Sequence, residues 1–208
     1  MHSPWWLYAI GFMAQVFFSA RILIQWIMSE RSHRIVSPGI FWKLSIAGSW
    51  LLCLYGLLRN DFAIVLGQVF TYYIYIWNLK RKGDWAKAGR VLRLVLLWTP
   101  ILIFLFLMRQ APDLIRNFFT DDKIPLPLVV YGVLGQLVFI LRFYYQWRYS
   151  ARRGESLLPV GFWAISLVGS LLIVSYAVIR LDPVLILGQS FGLVAYTRNI
   201  IIGRRSAS

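Results

Sequence analysis

Long apolar runs separated by short polar joints dominate this chain. Seven runs can be traced, at about residues 5–28, 38–58, 62–79, 91–109, 127–149, 159–179 and 184–202. Each is close to the roughly 20 residues an α-helix needs to cross a hydrocarbon core about 30 Å thick. The pattern predicts an all-α integral membrane protein with seven transmembrane helices. Little of the 208 residues is then left for a soluble domain or a fused cytoplasmic enzyme. The first run lacks the basic n-region, short apolar core and small-residue cleavage site of a signal peptide, so it is expected to stay in the membrane.

Composition agrees. The chain is 59% hydrophobic and 14% charged, against about 25% charged residues in soluble domains. Its formal charge of +14 would suggest nucleic acid in a soluble protein. Here the basic residues sit in the joints, which favours a membrane explanation and no nucleic-acid partner. Trp5–Trp6, Phe41–Trp42 and Phe162–Trp163 fall at helix ends, as an interfacial aromatic belt requires. Cys53, the single cysteine, lies inside an apolar run and reads as a packed thiol.

Seven crossings place the joints after helices 1, 3, 5 and 7 on one side. That side carries Arg31, Arg34, Lys80, Arg81, Lys82, Lys87, Arg90, Arg93, Arg148, Arg152, Arg153, Arg204 and Arg205. The other side carries Arg59, Arg109, Arg116, Lys123 and Arg180, partly offset by Asp61, Asp113, Asp121, Asp122 and Asp182. The positive-inside rule then sets the N-terminus periplasmic and the C-terminus cytoplasmic. The stretch Lys80–Arg93 is the most basic, and reads either as a topology determinant or as an attractor of anionic lipid.

The polar positions repeat. At a fixed offset of 121 residues, Gly11–Asn78 aligns without gaps on Gly132–Asn199. Gln15, Arg21, Gln25 and Trp26 return as Gln136, Arg142, Gln146 and Trp147; Pro38, Phe41, Trp42, Ser45, Gly48 and Ser49 return as Pro159, Phe162, Trp163, Ser166, Gly169 and Ser170. In the third helix, Gln68, Tyr75 and Asn78 match Gln189, Tyr196 and Asn199. Each unit has three crossings and one unmatched helix lies between them, so both copies have the same orientation. The chain therefore divides into a first three-helix repeat (1–79), a basic linker with an inversion-linker helix (80–126), and a second repeat with a short cytoplasmic tail (127–208). This is a 3+1+3 parallel repeat, an arrangement known among transporters.

Arg21 and Arg142 are the most informative side chains. Each lies roughly 8–10 Å inside the cytoplasmic end of its helix at 1.5 Å per residue. An Arg at that depth faces a wet cavity, snorkels to inner-leaflet phosphates, or clamps helix-end carbonyls. Gln25 and Gln146 lie one turn further along the same faces. Tyr75 with Asn78, and Tyr196 with Asn199, reach the same level, so the repeat predicts one cytoplasmic-facing vestibule of guanidinium, amide and phenol groups. Gln15 and Gln136 near mid-depth, with Gln68 and Gln189 toward the outer third, form either a polar ladder or packing glue. The Ser45–Ser49 and Ser166–Ser170 spacings, with Gly48 and Gly169, predict close helix approach. Asp61 and Asp182 are expected N-caps, with Pro183 at a first helical position and Ser37–Pro38 as a similar device. Lys43, early in helix 2, is expected to snorkel.

All eight carboxylates are expected in joints, and neither His2 nor His33 falls in a span. Ion-coupled transport usually needs such a group within the membrane. No catalytic residue, metal ligand set or cofactor motif can be named, and active transport and hydrolysis both lose ground.

The topology resembles that of SWEET-type and PQ-loop transporters. The residue pattern is similar to the lipid A biosynthesis N-terminal domain family in tandem. It rests on Gln15, Arg21, Gln25, Trp26, Ser29, Glu30, Pro38, Phe41, Trp42, Leu66, Gly67, Gln68, Tyr75 and Asn78, and on their second-copy equivalents together with Arg198. Two positions depart: Trp77 stands where the second copy has Arg198, and Ala151 where the first has Glu30. Members of the family resemble the membrane segment preceding the lipid-A-disaccharide synthase glycosyltransferase, a catalytic domain absent from these residues. The resemblance implies the bacterial inner membrane and lipid A or envelope glycolipid synthesis. Guanidinium suits phosphate better than neutral sugar. The expected activity is thus facilitative flipping of an anionic lipid-linked intermediate, polyprenyl phosphate or its sugar conjugate, by rocking of the two repeats. Arg21, Gln25, Arg142, Gln146, Gln15, Gln136, Gln68, Gln189, Tyr75, Asn78, Tyr196, Arg198 and Asn199 are the candidate substrate contacts. A non-transporting scaffold for a glycosyltransferase, or a carrier of a small sugar, are the alternatives.

Overall fold

The computed structural model describes residues 5–58, 62–109, 126–179 and 183–206. Every regular element among them is helical: α1 (Trp5–Ser32), α2 (Gly39–Leu58), α3 (Phe62–Arg81), the single turn α4 (Asp84–Lys87), α5 (Arg90–Met108), α6 (Leu126–Arg153), α7 (Val160–Ile179) and α8 (Pro183–Arg205). Four are long and apolar enough to cross a membrane: α1, α2, α5 and α7. Pro183 opens α8, where its missing N–H forfeits no helical bond. The expected caps Asp61 and Asp182 lie outside the described residues.

The helices α1 and α6 each run 28 residues, about 42 Å at 1.5 Å per residue, and so exceed the hydrocarbon core. Both end through a left-handed residue, His33 at φ 51° and its equivalent Gly154 at φ 71°. His33 N–H donates to the Glu30 carbonyl, and Gly154 N–H to the Ala151 carbonyl, so the repeat extends to the backbone of the stop. These lengths correct one expectation. Glu30 is not in a joint but in the last turns of α1, and Asp84 opens α4.

The chain forms two compact units whose division falls inside α1: one holds α1 up to Arg21 with α2 to α5, the other holds Ile22–Ser37 with α6 to α8. In the first unit α3 packs against α2, α5 and α4, and α2 also meets α5. Cys53 is buried there among Val65, Ile103 and Leu107, as a packed thiol. Gly48 admits α1 so closely that an added Cβ would lie 2.9 Å from the Phe18 ring and 3.1 Å from the Ala14 carbonyl oxygen. In the second unit α7 packs against both α6 and α8, and a Cβ on Gly169 would lie 3.1 Å from the Phe139 backbone. The small-residue spacing therefore does what the sequence predicts.

One helix carries an internal proline. Pro100 in α5 has no N–H, which leaves the Leu96 carbonyl without its helical donor. The Tyr72 hydroxyl from α3 donates to that carbonyl at 2.8 Å, and Tyr73 donates to the Leu97 carbonyl at 2.9 Å. The donor that Pro100 lacks is thus supplied by Tyr72 from the neighbouring helix.

Lys43 and Lys87 both pair with Asp84, at 3.3 and 3.0 Å. Lys43 thus meets a carboxylate, where the sequence predicts snorkelling. These ammonium groups hold the Asp84 carboxyl below the usual carboxylate range, Lys87 contributing most.

Candidate functional site: two buried arginine clusters

Each repeat builds the same cluster around its arginine. Arg21 is 5% exposed and Arg142 3%, so neither reaches out to solvent along its own stem. In the first unit the Arg21 guanidinium donates to Ser45 Oγ at 2.8 Å and lies 4.6, 5.3 and 5.6 Å from the ring centroids of Phe18, Phe41 and Tyr75. Ser45 in turn donates to the Phe41 carbonyl at 2.6 Å. In the second unit Arg142 donates to the Tyr196 hydroxyl at 3.2 Å and lies 3.4 Å from the Phe139 centroid, with Phe143, Phe162 and Tyr196 around it. Rings around a desolvated guanidinium contribute about 2 kcal/mol in favourable cases.

The aromatic pairs at the starts of α2 and α7 form the walls of these clusters. Phe41, Trp42, Phe162 and Trp163 are at most 1% exposed, so they are core residues and no part of an interfacial belt. Within each pair the rings meet edge to face at 4.8 Å. Trp42 stacks toward Tyr75 at 6.1 Å and Trp163 toward Tyr196 at 5.9 Å. Of each pair the phenylalanine faces the guanidinium, and the tryptophan packs against the tyrosine that also faces it. Trp5 and Trp6 remain exposed, as a belt requires.

A second layer consists of amides. In the second unit Gln25 and Asn199 are fully buried and exchange two hydrogen bonds: Gln25 Nε2 donates to Asn199 Oδ1 at 2.9 Å, and Asn199 Nδ2 to Gln25 Oε1 at 3.1 Å. Gln25 also donates to Ser29 Oγ at 2.8 Å and to the Val36 carbonyl at 3.3 Å. Gln146 repeats both contacts, with Ser150 Oγ and the Leu157 carbonyl, each at 2.8 Å. These amides therefore fasten the joint that follows each first helix back onto the helix. Asn78 and Asn199 each also donate to the carbonyl four residues earlier.

Further along, Ser49 donates to Gln68 and Ser170 to Gln189, both at 2.9 Å, which makes these two glutamines packing links between the second and third helices of a repeat. Gln15 and Gln136 stand apart from the clusters, on exposed faces of α1 and α6.

Arg198 has a partner the sequence did not predict. Its guanidinium grips the Glu30 carboxylate in a bidentate ion pair, and Trp26 Nε1 adds a bond to the same carboxylate at 3.3 Å. The equivalent positions, Ala151 and Trp77, carry neither charge. Both departures from the repeat are thus the two halves of one ion pair. That joint change was the available signal.

The comparisons with known proteins point the same way. Residues 10–80 and 131–201 each match the Lipid A Biosynthesis N-terminal domain. The chain belongs to this family, in two copies offset as the polar residues are. Among curated proteins it is similar to the lipid-A-disaccharide synthases of Chlamydia felis (29% identical over 97% of this chain and 34% of that protein) and Chlamydia abortus (31% identical over 94% of this chain and 33% of that protein). The chain spans about a third of the length of these relatives. No solved structure matches it significantly. The family relates the chain to lipid A biosynthesis.

Proposed function

We propose that the chain is a seven-span carrier of the bacterial inner membrane, N-terminus periplasmic and C-terminus cytoplasmic, built as SWEET-like 3+1+3 parallel repeats. Its cargo is an anionic lipid-linked intermediate of lipid A or envelope glycolipid synthesis, either polyprenyl phosphate or its sugar conjugate. The observation that carries this reading is the duplication of a buried arginine held by hydroxyls and ring faces. Packing alone asks for no charge at these positions, and a charge at the centre of a membrane helix costs about 2.5–3.5 kcal/mol on insertion scales. A bidentate phosphate is a stronger partner for guanidinium than a hydroxyl or a ring face, so a phosphate group entering a cluster can compete with the Ser45 and Tyr196 contacts. Tyr75 beside Arg21, and Tyr196 beside Arg142, then orient the phosphate within each cluster. Movement is facilitative.

Reconstitution of the purified chain in vesicles with a fluorescent polyprenyl phosphate, followed by accessibility to an added quencher, tests the reading. Accelerated exchange between leaflets supports it, and exchange no faster than in empty vesicles refutes it.

A second reading rests on the similarity to lipid-A-disaccharide synthases: the chain is a membrane scaffold that presents substrate to a lipid A pathway glycosyltransferase. Co-purification with a lipid-A-disaccharide synthase, together with no leaflet exchange, is the outcome specific to it.

A further inference from the structure

A groove of about 280 Å³ opens at the start of α5, lined by Lys80, Trp85, Arg90, Arg93, Leu94 and Leu97. It lies wholly within the first unit and shares no residue with the arginine clusters. Four of its residues, Arg90, Arg93, Leu94 and Leu97, follow the i, i+3, i+4, i+7 spacing that places them on one face of α5. Along that face the charge comes first, at the end of the helix, and the leucines follow one and two turns in. Lys80 is contributed by the end of α3 and Trp85 by the short α4, so three separate elements close on one spot. Arg93 is partly buried, and its Nε is enclosed with no hydrogen-bond partner among the described residues. An enclosed charged donor without an acceptor is costly unless something fills its place.

We infer that this groove is a binding site for one anionic glycerophospholipid. The phosphate sits among Lys80, Arg90 and Arg93, and the start of an acyl chain runs along Leu94 and Leu97. Trp85 provides the amphipathic ring that suits the boundary between headgroup and chain. Three basic residues lining a single groove distinguish this from the diffuse attraction of a basic joint, in which charges act independently. The apolar continuation distinguishes a lipid from a free phosphate, which would leave Leu94 and Leu97 unused.

The test is native mass spectrometry of the detergent-purified full chain titrated with phosphatidylglycerol, with phosphatidylcholine and inorganic phosphate as separate arms. One phosphatidylglycerol is expected to be retained on the wild type at concentrations where phosphatidylcholine is not. R93Q and the double variant K80Q/R90Q are expected to weaken retention about tenfold. R81Q removes a neighbouring charge that does not line the groove and is expected to leave retention unchanged. The site is overturned if R93Q retains lipid like the wild type, if R81Q weakens retention as much as R93Q, or if inorganic phosphate displaces the lipid at comparable concentration. Thermal unfolding of each variant is read alongside. An R93Q protein that melts well below the wild type is replaced by R93K, which keeps the charge but not the enclosed Nε and is expected to lose retention in part. Full retention by folded R93K would then refute the site.

Discussion

Gln25 and Asn199 lie 174 residues apart in the chain yet exchange two hydrogen bonds between fully buried amides. Such reciprocal pairing satisfies a donor and an acceptor on each side at once, which a single substitution undoes. Replacing Asn199 by Leu removes the donor to Gln25 Oε1 in an apolar setting, while Gln25 Nε2 keeps Ser29 and Val36 as acceptors. The expected loss is about 1–3 kcal/mol, seen as a lower thermal midpoint of the detergent-solubilised protein. The double variant Q25L/N199L should recover part of that loss, because no orphaned amide remains. A double variant that melts at the sum of the single effects would contradict the pairing.

Glu30 and Arg198 form the ion pair that the second equivalent set of positions lacks. Both side chains are partly exposed, so the effect of removing either is modest. E30A and R198A should each lower the thermal midpoint slightly and the double variant no further than either alone. The exchange E30R/R198E should regain wild-type behaviour, and the effects should shrink in high salt. Additive losses would show that the two residues act independently.

Pro100 and Tyr72 are coupled through the Leu96 carbonyl. Y72F removes its donor and is expected to cost about 1 kcal/mol. In the P100A background an N–H returns to the helix and supplies that carbonyl, so the same Y72F change should cost much less. Four thermal midpoints complete this double-mutant cycle. A cost of Y72F that is equal in both backgrounds would rule the coupling out.

Asp84 carries a pH dependence whose sign is fixed by Lys87 and Lys43. Its carboxyl in the folded protein titrates below the usual value of about 3.9. The unfolded chain therefore takes up the proton first as pH falls, and the stabilisation is fully present above about pH 4 and lost below it, toward the lower folded value. The difference in thermal midpoint between wild type and D84N should be greatest near neutral pH and narrow below pH 4. A gap that stays constant from pH 7 to pH 3 would contradict the ion pairs.

The helices were legible because long apolar runs broken by polar joints suit helices, four of which are long and apolar enough to cross a membrane, and the repeat was legible because shared Gln, Arg and Asn positions rarely recur by composition. Helix ends were less so: α1 runs on to Ser32 because a left-handed His33, not a proline or glycine, stops it. The fate of Phe41–Trp42 and Phe162–Trp163 could not be read from hydropathy, since an aromatic pair at a helix end looks the same in a belt or around a buried arginine. Glu30 and Arg198 were seen singly as breaks in the repeat; their meeting depends on contacts across 168 residues. The fastening of Gln25 and Gln146 to the following joints likewise rests on backbone carbonyls, which leave no mark in the sequence.

The most direct test of the central claim compares leaflet exchange of a fluorescent polyprenyl phosphate by wild-type vesicles with exchange by R21Q/R142Q vesicles. Matched protein content, and a thermal midpoint showing that the variant is folded, are required for each preparation. The account predicts accelerated exchange by the wild type and a fall of at least tenfold in the double variant, with R21Q and R142Q alone each slowed. Exchange by the folded double variant at the wild-type rate would contradict it.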